Sequence, residues 1–495
     1  MLFFCVYYII CVMERVNDKK LNEEMVSDSV AKKEKAQFER MTKTPVPRLV
    51  ISLGIPTMLN MMVTSLYNMA DTLFVSGLGE QAIGAVSVVL SLMSIIQAIG
   101  FTLGMGSGSL VSFLFGKRDQ KGADRVASVA FYSALIIGLI LTVSGLCFLE
   151  PLVVLLGAAQ ETGVAVTTLD YAKIYSTYIL IAAPIMCISF VLNNLLRAQG
   201  KALTSMIGLC TGAILNIALD PILIYAAGMG VQGAALATMI SQTVSFGILL
   251  FIFFSGKTIT NISVRNLTDF FPTLWQIVVT GFPSFCRQVL ASLCTVLLNN
   301  LIMDIEGAQA AFGVVQKIFM LAFSIALGIG QGYQPVLGYN YSAGKFDRVR
   351  AAYLFTLAFS TAIMAGFAVS CAILAPWLMR TFLTSTTAIE IGTAALRFQC
   401  LTMALLPVNF MAGLTYQVVG NKFAATMLSV SRQGLFYVPL IFIMPPLAGL
   451  TGIECMQSVS DGLSFLFALP FTIYFLNSLK KGHSAENVRA DYDGE

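Results

Sequence analysis

Charge is what this chain has least of. Only 11% of its 495 residues are Asp, Glu, Lys or Arg, where a soluble domain carries about a quarter. In their place 57% are hydrophobic, and the mean hydropathy is +0.80. That balance excludes a soluble enzyme and makes the chain an integral membrane protein. The net charge of +4 is too small to mark a nucleic-acid binder. Histidine is almost missing. The single copy, His483, lies in a polar tail, which excludes His-based metal sites, His-based catalysis and His proton relays. The ten cysteines form no C-x-x-C pair and no metal spacing. Most sit inside apolar runs, where Cys behaves as a small hydrophobe. No G-K-[ST] follows any glycine-rich stretch, so no ATP site is visible, and energy for any transport must come from an ion gradient. No nucleophile–base set and no H-E-x-x-H occurs, so no catalytic residues are assigned.

Long apolar runs take the place of charge. They predict twelve helices near 48–77, 84–115, 125–149, 165–197, 203–226, 232–255, 272–303, 308–338, 350–375, 389–418, 424–447 and 452–478. Lys and Arg collect in alternate loops: Lys117, Arg118, Lys121 and Arg125 after the second span, Arg197 and Lys201 after the fourth, Lys345, Arg348 and Arg350 after the eighth. The loops between are nearly free of them, so the positive-inside rule puts both termini in the cytoplasm. The expected organisation is a cytoplasmic lead-in (1–46), an N-lobe (47–255), a cytoplasmic linker (256–271), a C-lobe (272–478) and a cytoplasmic tail (479–495). Residues 1–12 are apolar but too few to span a bilayer, and a start at Met13 or Met25 is an equally good reading.

The two lobes repeat each other. Gly54-Ile55-Pro56 returns as Gly281-Phe282-Pro283, and Leu103-Gly104-Met105-Gly106-Ser107-Gly108 as Leu327-Gly328-Ile329-Gly330-Gln331-Gly332. Gly230-Val231-Gln232-Gly233 returns as Gly449-Leu450-Thr451-Gly452. Six spans per copy give both the same orientation. A parallel repeat in a polytopic chain marks a secondary transporter with its sites near mid-membrane. The glycine runs end transmembrane helices with no preceding strand, so they read as close helix packing and not as a nucleotide fingerprint.

Leu215-Asn216-Ile217-Ala218-Leu219-Asp220-Pro221, followed by Gly230 to Thr238, resembles the multidrug and toxic compound extrusion (MATE) transporters. Pro56 and Asp71 in the first span, Arg197-Ala198-Gln199-Gly200-Lys201 after the fourth, and the glycine-rich ends of the second and eighth spans fit the same pattern. The resemblance covers about residues 45–478 and is closest to bacterial multidrug members. It implies an all-α membrane fold of twelve helices in two pseudo-symmetric six-helix bundles arranged as a V. It implies export of lipophilic drugs, mainly organic cations, across the plasma membrane in exchange for H⁺ or Na⁺, by a monomer with no cofactor beyond the coupling ion. Carried over residue by residue, the cation site falls on Asp71, Asn216, Asp220 and Thr238, a possible Na⁺ shell. Tyr67, Tyr175 and Asn193 match polar positions lining the N-lobe cavity. Some branches use an acid in the seventh or tenth span. Here the seventh has none, and the tenth has Arg397, Gln399 and Asn409, which points to the N-lobe.

The residues themselves carry part of that reading. An ionisable group at mid-membrane costs roughly 2.5–3.5 kcal/mol on insertion scales and so needs a reason. Asn216 and Asp220 are four apart and share a helix face. Two carboxylates in one dry pocket cannot both carry charge cheaply, so Asp71 and Asp220 suit the loading and release of H⁺. The same oxygens with Asn216 and Thr238 suit Na⁺. The plainer alternative is a hydrated Asp71 at the outer interface and an Asp220-Pro221 helix cap. Pro56 removes a helix hydrogen bond and offers a place to bend, or a static kink. Arg287, Lys317 and Arg397 fall in or near C-lobe spans, to pair with Asp461 or Glu454 or to meet the cavity. Two other functions stay open: a lipid-linked oligosaccharide flippase of related fold, which wants a strongly cationic cavity, and a remote two-aspartate intramembrane enzyme.

Overall fold

The computed structural model describes residues 23–158 and 167–480, and every regular element among them is a helix. Residues 1–12 and His483 lie outside the described residues. A polar helix, α1 (Glu23–Lys43), leads in. The first bundle follows as α2 (Val46–Ser76), α3 (Glu80–Gly116), α4 (Gln120–Cys147), the short α5 (Leu149–Leu155), α6 (Thr168–Ala198), α7 (Ala202–Pro221) and α8 (Gly230–Ile252). The second comprises α9 (Phe270–Leu301), α10 (Ala308–Ser342), α11 (Phe346–Phe382), α12 (Thr386–Met403), α13 (Leu406–Val419), α14 (Lys422–Val430) and α15 (Val438–Lys480).

Ten continuous helical runs are long and apolar enough to cross a membrane, and α12 with α13 form an eleventh span bent by 52°. The twelfth is hidden in the last run, Lys422–Lys480, of 59 residues. At 1.5 Å per residue that run would be about 90 Å long if straight, three times the hydrocarbon core. It is not straight. Gly449 adopts φ 56° and ψ −135°, a conformation open to glycine, and the chain turns back there. Arg432 before the turn meets Asp461 after it at 2.6 Å. Twelve spans result, as the sequence predicts.

The helices reach further than their apolar runs because polar residues cap them. Asp119 accepts a hydrogen bond from the Gly122 amide at 2.9 Å and starts α4 five residues before the predicted boundary. Thr167 and Asp170 form a reciprocal capping box at the start of α6. The lead-in, read from sequence as merely polar, contains the helix α1 and ties both bundles together. Lys33 Nζ donates to the Gly256 carbonyl at 2.7 Å, Asn340 Nδ2 to that of Met41 at 3.0 Å, and Arg348 to that of Thr44 at 2.6 Å.

The sequence repeat reappears as a swapped pair of contacts between the bundles. Gly54 of the first Gly-x-Pro lies against Ile329 and Gly332 of the second glycine run. Gly281 of the second Gly-x-Pro lies against Thr102, and Gly106 of the first glycine run against Ile277 and Gly281. A methyl group on Gly106, Gly281 or Gly332 would overlap the backbone of the opposing helix. The bundles are therefore pressed together at the end that carries α1 and the Lys- and Arg-rich loops.

Candidate functional site

Asp71 of α2, Tyr175 of α6, Asn216 and Asp220 of α7 and Thr238 of α8 are all buried, and they meet inside the first bundle. Tyr175 donates its hydroxyl hydrogen to Asp71 Oδ2 at 3.1 Å and also reaches Thr238. Asn216 Nδ2 donates to Asp220 Oδ1 and to Thr238 Oγ1, both at 3.4 Å. A continuous polar path thus runs from Asp71 through Tyr175, Thr238 and Asn216 to Asp220.

Two oxygens at the far end of that path are buried with no hydrogen-bond partner among the described residues: Asp220 Oδ2 and Asn216 Oδ1. An unpaired buried oxygen is costly unless something satisfies it. A proton on the carboxylate or a small hard cation among these oxygens would do so, and an all-oxygen donor set fits Na⁺ by its chemistry. Local sequence explains the placement. Pro221 lacks an amide hydrogen, so the Ile217 carbonyl loses its helical partner, and a π-helical turn, Ile222–Ala226, follows. Asp220 is fixed at the edge of that irregularity, one turn after Asn216.

Of the other sequence-predicted residues, Tyr67 lies one helical turn before Asp71 on α2, and Asn193 and Pro56 are not hydrogen-bonded into the path. Tyr67 is buried and hydrogen-bonds Gln242 of α8. Asn193 of α6 is committed to Ser205 of α7, donating to its carbonyl and hydroxyl oxygens. Pro56 is half-buried within a continuous α2.

A cavity of about 610 Å³ opens between the bundles, away from the glycine contacts. Its charged lining is Arg287, Lys317, Arg432 and Glu454, and neither Asp71 nor Asp220 reaches it. Sequence reasoning missed Arg432, although a cation inside an apolar run is the signal that singled out the others. Asp461 pairs with Arg432, not with Arg287, Lys317 or Arg397. Both partners are buried, Gln457 adds a 2.8 Å hydrogen bond to Asp461 Oδ1, and the guanidinium stacks 4.8 Å from the Phe319 ring centroid. Arg397 turns away to the Ala372 carbonyl. Arg197, placed in a loop by sequence, is buried at the end of α6 and binds Gln331 across the bundle interface.

The MatE family model matches this chain twice, at residues 56–222 and 283–443. The two matches begin at the prolines of the repeated Gly-x-Pro. The multidrug export protein MepA of Staphylococcus haemolyticus (strain JCSC1435) is 27% identical over 443 residues, covering 87% of this chain and 94% of that protein. A multidrug resistance MATE transporter solved in an outward-facing conformation superposes with a TM-score of 0.84 at 27% identity, over 89% of this chain and 98% of that one. A MATE solved in a bent conformation superposes with a TM-score of 0.81 at 27% identity, over 90% and 98%. A twice-matched family model, a shared twelve-helix architecture and multidrug-export relatives agree: this chain is a member of the multidrug and toxic compound extrusion (MATE) family of membrane transporters.

Proposed function

We propose that the chain exports lipophilic drugs, organic cations among them, across the bacterial plasma membrane in exchange for H⁺ or Na⁺, with both termini in the cytoplasm. The observation that carries the coupling is the buried Asp220 Oδ2 at the end of the Asp71 path, which has no hydrogen-bond partner among the described residues. It is a place where binding or losing one positive charge changes the energy of the first bundle. The lobes, 47–255 and 272–478, rock about the glycine interface, and the cavity between them faces the two sides of the membrane in turn. In the described arrangement they are sealed at the end carrying α1, which corresponds to an outward-facing state. A volume of about 610 Å³ lies in the range of drug-sized pockets and favours a drug over a lipid-linked oligosaccharide. The cationic lining is the one observation that speaks for the flippase reading.

Ethidium efflux from pump-deficient bacteria expressing the chain tests this, with the H⁺ and Na⁺ gradients collapsed separately. Efflux that stops with one gradient and survives loss of the other is expected and names the ion. Absence of efflux under every gradient would remove the exporter reading.

The same proposal gives Pro56 a moving part. Without a Pro56 amide hydrogen, the Ser52 carbonyl lacks its usual partner, and α2 can bend there when Asp71, four turns further on, changes its bound charge. Pro56→Ala is expected to slow efflux at unchanged expression; wild-type efflux in that variant would make the kink static.

A further inference from the structure

Two arginines of the second bundle share one small cavity. Arg287 of α9 and Arg432, in the π-helical turn Ser431–Tyr437, line a space of about 20 Å³ together with Asn409 of α13 and Ser429 of α14. Arg432 is 5% exposed. Its Nε donates to Asp461 Oδ1 at 2.6 Å, but its Nη2 is buried with no hydrogen-bond partner among the described residues. Arg287 is half-buried and makes no hydrogen bond or ion pair among them. Asp461 therefore balances one of two positive charges. A guanidinium does not lose its proton in a protein, so one charge is left over inside a membrane span, where it is costly unless something meets it. Glu454 lines the larger interlobe cavity and not this one.

We infer that Arg287 and Arg432 hold a small monovalent anion, chloride in the cell, as a resident counter-ion of the second bundle. Size selects the class of ligand. A space of about 20 Å³ admits one water-sized particle, and neither a drug carboxylate nor a lipid phosphate fits it. Charge then separates an anion from a water molecule. Water would satisfy Nη2 but leave the excess charge uncompensated, whereas an anion accepts charge-assisted hydrogen bonds from both guanidiniums. The Ser429 hydroxyl supplies a neutral donor beside them. Arg287, Phe323, Arg432 and Gln433 also line the interlobe cavity of about 610 Å³, which gives the ion its way in. Once bound, it removes the repulsion between two like charges and ties α9 to the π-helical turn. The site stands whether or not the chain exports drugs.

Binding of radioactive chloride to the purified full chain in a neutral detergent tests it, with unfolding temperature in chloride against gluconate as a second readout. Saturable binding of one chloride per chain is expected, displaced by bromide and not by gluconate, and chloride is expected to raise the unfolding temperature. Arg287→Gln is expected to weaken chloride binding about tenfold, as for loss of a hydrogen bond to a charged group, and to remove the chloride dependence of unfolding. Arg432→Gln alone would strand Asp461, so Arg432 is tested with both partners replaced, as Arg432→Gln with Asp461→Asn, and the same loss is expected. Gly413→Ala fills the cavity without touching a charge. The added methyl would lie 3.8 Å from Ser429 Oγ and 3.7 Å from Leu428 Cβ, with no overlap, and chloride binding is expected to fall in a normally folded protein. Lys317→Gln is the control, since Lys317 lines only the larger cavity, and wild-type binding is expected. No saturable chloride binding in the wild type would leave the cavity to water and overturn the site. Displacement by gluconate, or equal losses in Lys317→Gln and Arg287→Gln, would reduce the effect to general screening of cations and overturn it as well.

Discussion

Asp220→Asn is expected to cut gradient-driven ethidium efflux sharply while leaving the protein folded and inserted. The substitution keeps the shape of the side chain and the acceptor that faces Asn216 Nδ2, 3.4 Å away. It removes the one atom that can change charge, Oδ2, which is buried without a partner among the described residues. Burying a neutral amide costs less than burying a carboxylate, so thermal stability is expected to hold or rise. Coupling is what is lost. Linkage between two sites of about 1–3 kcal/mol corresponds to about 5–150-fold in affinity, and efflux is expected to fall by a factor in that range at equal expression. Asp71→Asn is expected to act in the same direction, because Asp71 is joined to Asp220 through Tyr175, Thr238 and Asn216. Wild-type efflux in Asp220→Asn would show that the path is a structural hydrogen-bond network only.

Much of this site is legible in the sequence because its parts are local. Asn216 and Asp220 share a helix face by spacing alone, and Pro221 announces the helix irregularity beside them. Asp71 stands out because a carboxylate in an apolar run is rare. The link between Asp71 and the other residues was not legible in spacing, since it depends on which face of α6 turns Tyr175 inward. The same limit explains the C-lobe. Sequence supplied Asp461 and several cations, but only the turn at Gly449 decides that α15 folds back to put Asp461 beside Arg432. Arg197 was read as a loop residue because its neighbours are polar, whereas α6 continues past it and buries it against Gln331. The separation between the acid path and the cavity was equally invisible. Periodicity says which residues face inward, and it cannot say which of two inward spaces they reach.

The repeated glycines are the part of the sequence whose structural meaning is largest, and Gly332→Val is expected to stop export almost completely. At Gly332 even a first methyl would overlap the Gly54 backbone of α2, and no flexible side chain stands between them to give way. Overpacking of this kind costs about 1–3 kcal/mol. The penalty is paid only while the bundles are closed at this end, so the alternating-access equilibrium shifts by about 5–150-fold away from the sealed state. Folding within each bundle is untouched, because the lost contact lies between them. Two measurements separate this from simple damage. A cysteine placed at Ser112, buried in the same interface against Gly338, is expected to resist a membrane-impermeant maleimide applied from the α1 side in the parent chain and to react in Gly332→Val. Gly366→Val is the control: Gly366 lies in α11 with open space around its missing side chain, and export is expected to be unchanged. Loss of export in both variants would mean that transmembrane glycines matter here for helix formation in general. Loss in Gly332→Val alone, with Ser112→Cys unmasked, would locate the moving contact in the sequence repeat itself. The duplicated Gly-x-Pro and glycine run would then be the two halves of one gate, each copy closing on the other.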